Sequence, residues 1–217
     1  MICLGENHDP HTRAFIAAHI MPELKIDLLF LEATADEWRE IAARIQDGQA
    51  HVPLLGADSA ALVRAGWARN PDLVFKGVEE TPAQRAARHT VGGPSKQGSR
   101  DASIAANLML HLQASWRQVI LYGALHCANQ LGWLFERLKT KLPDGDLLGV
   151  RILGEHQDSP LEAFIYFLDE ICVGPEMEGS SFVMPRAAAL PRAVKTWFPF
   201  LNQATLTKFE TVVVYHH

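Results

Sequence analysis

The chain has 217 residues, 48% of them hydrophobic, a size and composition that can bury a substantial core within a single domain. Its formal net charge of -5 and pI near 6.0 argue against nonspecific binding to nucleic acid or to an anionic membrane, since either partner calls for a basic face. No window approaches twenty uninterrupted apolar residues, so no membrane span is expected, and no cationic stretch, apolar run and cleavage site mark a secretion signal.

Read in chain order, strand-like and helix-like segments alternate. This order predicts a three-layer α/β/α sandwich with a mostly parallel central sheet. The first apolar run, 2–4, starts at the initiator itself, which suggests a domain excised from a longer protein whose localisation is set elsewhere. It leads into Gly5-Glu6-Asn7-His8. Phe15, Ile16, Ala18, His19, Ile20 and Leu24 then recur at helical spacing and predict a crossover helix, with His19 at its surface.

A second strand, 28–31, ends in Glu32, and 36–46 reads as a helix with Trp38, Ile41, Ala42 and Ile45 inward, stopped by Asp47-Gly48. A third helix is expected over 58–68, with Asp58 or Ser59 as its cap. After a strand at 73–76, the glycine-, proline- and serine-rich stretch 91–99 reads as a loop. It runs into a helix from Arg100 whose stripe is Ile104, Ala105, Leu108 and Leu112. A strand at 118–122 then delivers Gly123-Ala124-Leu125-His126, and further strands are expected at 148–153 and 211–215, the last a candidate antiparallel edge. The stretch 174–200, rich in proline, methionine and aromatic residues, reads as a cover, a lid or an interface.

Two Gly-x-x-His segments, each directly after an apolar strand, are the main functional signal. Groups that follow the C-termini of parallel strands gather along one sheet edge, where ligands of such sheets bind. Glycine permits a sharp turn and a close approach there. His8, His126 and the strand-terminal Glu32 therefore fall on one edge, and together they can ligate a divalent transition metal or divide base and orienting roles around a bound water. Arg100 at a helix start is locally unfavourable, because the helix dipole already makes that end positive. Asp101, an anionic substrate or a developing oxyanion would compensate it; a plain surface Arg–Asp pair is the other possibility.

Cys3, Cys127 and Cys172 are odd in number and far apart, which fits reduced or buried thiols, and a cytoplasmic setting, better than a disulfide framework. Cys127 reads as a small apolar contact, or else as a reactive thiol beside His126. His11, His51 and His111 read as solvated. His89, next to the glycine-rich stretch, and Gly154-Glu155-His156, after the fifth strand, are further candidates for the edge.

Gly5-x-x-His8, Glu32, Arg100-Asp101-x-x-Ile104-Ala105-x-Asn107-Leu108 and Gly123-x-x-His126, in this order, resemble the Tiki superfamily, which includes the Tiki and TraB proteins, the ChaN-type haem-binding proteins and the erythromycin esterases. Gly5-Glu6-Asn7-His8-Asp9 is most similar to the ChaN form. Gly123-Ala124-Leu125-His126 with Gly132-x-Leu134 is more like the Tiki and TraB form, and the Arg100-Asp101 helix resembles the esterase and ChaN branches.

The resemblance implies a site lined by Glu6, His8, Glu32, Arg100 and His126. In the esterase branch it implies hydrolysis by a histidine-activated water, and in the Tiki branch peptide hydrolysis assisted by a metal on His8, Glu32 and His126. The substrate is then a small molecule or a peptide. The ChaN likeness implies instead haem binding, with Tyr122 or Tyr166 as an axial ligand, and a domain that keeps the fold without the chemistry is a third class.

Overall fold

In the computed structural model, which describes residues 1–92, 97–142, 146–154, 181–185, 209 and 211–215, seven strands form one sheet. Their order is β5 (Val74–Gly77), β2 (Leu28–Leu31), β6 (Gln118–Gly123), β1 (Ile2–Glu6), β7 (Leu148–Gly154), β9 (Thr211–Tyr215) and β8 (Ser181–Pro185). All neighbours pair in parallel except β8 with β9. Leu28-Leu29-Phe30-Leu31 is buried on both faces, as a continuous apolar run in a parallel sheet must be. The expected sandwich is present: α1 (Pro10–Phe15), α2 (Ala35–Gln46) and α3 (Ala60–Arg69) bury Phe15, Ile41, Ile45, Leu62 and Val63 on one face. On the other, α5 (Gln97–Met109) and α6 (Leu134–Lys139) bury Ile104, Leu108, Phe135 and Leu138.

Several elements differ from their sequence reading, each for a local reason. The first helix begins earlier, because Asp9 accepts bonds from the Thr12 amide at 2.8 Å and the Thr12 hydroxyl at 2.6 Å, and Pro10 occupies the first turn. It continues as a π-helical turn, Ile16–Ile20. The third helix starts two residues later than expected. Asp58 belongs instead to a small hairpin, β3 (Pro53–Leu54) with β4 (Ala57–Asp58), and holds the Val52 and Ala60 amides. Thr211–Tyr215 is not an antiparallel edge: it lies inside the sheet, parallel to β7, and the antiparallel edge is Ser181–Pro185. α4 (Pro82–Gly92) and α5 leave only 93–96 of the glycine-rich stretch outside the described residues, and they place Arg100 a turn into its helix.

The expectation of reduced cysteines is overturned. Cys3 on β1 and Cys127, one residue after His126, form a disulfide across 124 residues with Cα atoms 5.4 Å apart, fully buried in the core. Cys127 is therefore neither a simple apolar contact nor a free thiol. The odd third cysteine, Cys172, lies outside the described residues, as do Glu155, His156, Tyr166 and most of 174–200.

Candidate active site

Four neighbouring parallel strands, β5-β2-β6-β1, end along one edge, β6 and β1 two residues beyond β5 and β2, and the residues at and after their ends form one polar network. Leu31 is level with Gly77 and Leu121, and Glu6 with Gly123. Glu79, Glu32, His126 and the Glu6/His8 pair thus line the edge in that order. Glu6 is the last residue of β1, and His8 takes φ +57°, a left-handed conformation that a non-glycine residue adopts at a cost. The turn is thus made by His8 itself and not by Gly5. The glycines serve packing: a Cβ on Gly123 would lie 2.9 Å from His8 Nε2, and one on Gly5 would lie 2.9 Å from the Ala124 backbone.

His8 is clamped between two carboxylates. Its Nδ1 donates to Glu6 Oε1 at 3.0 Å, and its Nε2 faces Glu32 Oε2 at 3.1 Å. Glu6 is held in turn by Arg13, whose Nε donates at 2.8 Å and whose Nη2 meets the other oxygen, while Arg13 Nη1 donates to Ser59. Glu32 accepts from the Gly123 amide and from Arg100 Nη2, both at 2.7 Å. Arg100 also grips Glu79 with two bonds, 2.9 and 2.6 Å, and its Nη1 donates to His126 Nε2 at 3.2 Å.

The second histidine is held differently. His126 sits in a 3₁₀ turn, Ala124–Cys127, only 5% exposed, and its Nδ1 donates to Asp101 Oδ1 at 2.6 Å. The other Asp101 oxygen accepts from the Leu134 amide, which fixes the carboxylate and hence the ring. Since an arginine can only donate, Nε2 must accept, and the proton of His126 resides on Nδ1.

These surroundings set the charges. Burial alone would lower the pKa of His8, but its hydrogen bonds to Glu32 and Glu6 outweigh it and raise the value to about 9. Burial would likewise raise Glu32, yet its hydrogen bond to His8, the Gly123 amide and the charge on His8 bring it down to about 2. Glu6 is lowered against its burial by His8 and Arg13. His8 is therefore an imidazolium flanked by two carboxylates at neutral pH.

All five residues singled out in the sequence meet in this network. Arg13, Glu79 and Asp101's grip on His126 were missed. Glu79 had a signal: Gly77-Val78-Glu79 continues an apolar strand as Leu31-Glu32 does. The compensation expected for Arg100 comes from Glu32 and Glu79; Asp101 is engaged by His126, so the surface Arg–Asp pair is not formed. His19 is exposed on α1's continuation and lies against Phe15.

The suggested metal set, His8, Glu32 and His126, does not fit a cation. Arg100 already occupies the Glu32 oxygen and the His126 nitrogen that would face it, and among the described residues no three His, Cys, Asp or Glu side chains converge as ligands. Tyr122, offered as a haem ligand, is fully buried with its ring edge-on to His126 at 5.5 Å. Among the described residues no helix is long and apolar enough to cross a membrane.

No protein-family model and no curated protein matches the chain. Its fold is nevertheless found in solved structures. A Bacillus cereus protein is similar with a TM-score of 0.62 at 10% identity, over 99% of this chain and 88% of that one. An erythromycin esterase in its open conformation is similar at 0.53 and 9% identity, over 98% of this chain and 90% of that one. The haem-binding ChaN of Campylobacter jejuni scores 0.48 at 12% identity, over 99% and 86%. The chain thus has the α/β fold of an erythromycin esterase, one of the branches its motifs resemble.

Proposed function

We propose that the protein is a hydrolase of an ester or amide bond in a small molecule or peptide, and that its working centre is the His8–Arg100 pair. The observation that carries this reading is the clamp on His8: Glu6 fixes Nδ1, while Nε2 lies at the strand edge on Glu32, a carboxylate it shares with the half-buried Arg100. An attacking water takes the place of Glu32 Oε2 at Nε2; a neutral His8 accepts its proton there and, as the imidazolium, returns it to the leaving group. Glu6, held by Arg13, keeps the ring oriented. Arg100 meets the charge that develops on the carbonyl oxygen.

His126 has a supporting role in this scheme. Its only proton points into Asp101, so it does not protonate the leaving group; its Nε2 accepts from Arg100 and steers the guanidinium. Because His8 must lose its proton to act as a base, kcat/KM should climb about tenfold per pH unit below its pKa of about 9.

The test is hydrolysis of 4-nitrophenyl esters and fluorogenic peptides by the purified protein and by His8→Asn. Turnover that falls roughly a thousandfold in the variant supports the proposal; equal turnover in the two proteins overturns it. The same preparations mixed with haemin, and scanned for a Soret band, examine the rival function.

A further inference from the structure

Charges in the network are layered. Glu6, Glu32, Glu79, Glu80 and Asp101 are buried, whereas the charges that reach solvent are His8 (24% exposed), Arg100 (30%) and Arg85 (59%). The half-buried Asp9 beside His8 accepts from Thr12 with both oxygens, and the exposed Asp36 and Glu37 belong to α2 on the opposite face of the sheet.

One corner of this layer carries more positive charge than it needs. Glu80, buried between α4 and α5, is already satisfied by Arg88, which donates to its two oxygens at 2.9 and 2.7 Å, and by the Ser103 hydroxyl at 3.1 Å. Arg85 stands on the same oxygen at 3.7 Å, so two guanidinium groups converge on one carboxylate. Among the described residues, Arg88 Nη1 is buried and has no hydrogen-bond partner. An unpaired guanidinium nitrogen out of water is unfavourable, and an excess cation beside it adds to the strain. A carboxylate or phosphate docked on the exposed Arg85 offsets the excess charge, and where it displaces the cover of Arg88 Nη1 it pairs that nitrogen too, through the fork geometry that arginine offers to planar and tetrahedral oxyanions.

We propose that Arg85 and Arg88 form an anion subsite next to the reaction centre, and that the substrate carries a carboxylate or phosphate group near its scissile carbonyl. Arg100 links the two places, since it grips Glu79, the residue before Glu80. The substrate half of this proposal rests on the hydrolase reading; the anion half does not.

Two measurements separate them. Thermal unfolding is followed with inorganic phosphate and with glutarate, each against sodium chloride at equal ionic strength. Stabilisation by either anion that weakens at least about fivefold in apparent affinity in Arg85→Gln, and stays in Arg39→Gln on the opposite face, supports the subsite, and the stronger anion identifies its chemistry. No stabilisation beyond chloride, or the same affinity in Arg85→Gln, overturns it.

The second measurement compares kcat/KM for the 4-nitrophenyl monoester of glutaric acid with that for 4-nitrophenyl pentanoate. A preference for the anionic ester of roughly tenfold, shrinking towards one in Arg85→Gln and in high salt, supports the substrate class. A ratio at or below one that ignores Arg85→Gln overturns it. Hydrolysis of neither ester counts against the hydrolase reading, and the phosphate and glutarate titrations then decide the subsite alone.

Discussion

The two Gly-x-x-His segments look alike in sequence and end up electrostatically opposite. His8 meets a carboxylate on each ring nitrogen and holds a proton up to about pH 9. His126, on the neighbouring strand end, meets one carboxylate and one arginine, a pairing that leaves its Nε2 as an acceptor. A strand-end pattern decides where an imidazole is delivered. What the ring does is decided by neighbours that arrive from other strands and helices.

This contrast can be broken experimentally, and the largest effect is expected at the first copy. His8→Asn should lower kcat/KM roughly a thousandfold. Asp101→Asn comes next: the amide can donate to Nδ1 and push the proton of His126 to Nε2, against Arg100, with a loss on the order of a hundredfold. That loss should leave the pH dependence unmoved, because His126 does not carry the titrating proton in this scheme. A changed pH profile in Asp101→Asn would mean that the two histidines share one role.

Glu32→Gln sharpens the same distinction. Without one of its two carboxylates, His8 should titrate below 9 and closer to 6.5, and the rising limb of kcat/KM should move down by a pH unit or more, read from a pH series on the variant. Stability gives a further readout. The raised pKa of His8 stabilises the fold fully below pH 6.5, and this contribution is lost as pH rises through about 9. Thermal unfolding between those values should therefore show a decline, of order a few kcal/mol at most, that is missing from His8→Asn.

The smallest effect concerns Tyr122, whose buried hydroxyl lacks a hydrogen-bond partner among the described residues. Tyr122→Phe keeps the ring against His126 and removes that defect, so its Tm should be unchanged or higher, by about 1 kcal/mol of stability. A loss of stability would show that the hydroxyl is bonded.

What the sequence revealed was the part governed by local period. Apolar runs marked six of the seven strands of the main sheet, and strand-end position marked Glu6, His8, Glu32 and His126. Arg13 was missed because a lone arginine on a short helix reads as solvated; its partner Glu6 is seven residues earlier, and only folding of the turn at His8 brings them together. Glu79 was missed because the strand was stopped at Lys76, before the carboxylates that follow it. Ser181–Pro185 is short, ends in proline and lies in a stretch of mixed composition, so no periodicity announced it. The disulfide was hidden by distance and by parity: an odd count argued for free thiols, although one unpaired cysteine leaves two that can join.

That bond has a topological consequence for the site. Glu6, His8, Arg13, Glu32, Glu79, Arg100, Asp101 and His126 all lie between Cys3 and Cys127, so the oxidised chain is a covalent ring that contains every charged side chain of the network, with residues 1–2 and 128–217 outside it. In the chain-entropy view a ring of this size limits the unfolded state by about 5 kcal/mol. It also means that cutting any one peptide bond within the ring frees no fragment: a nicked molecule would run as one species on a non-reducing gel and as two after reduction.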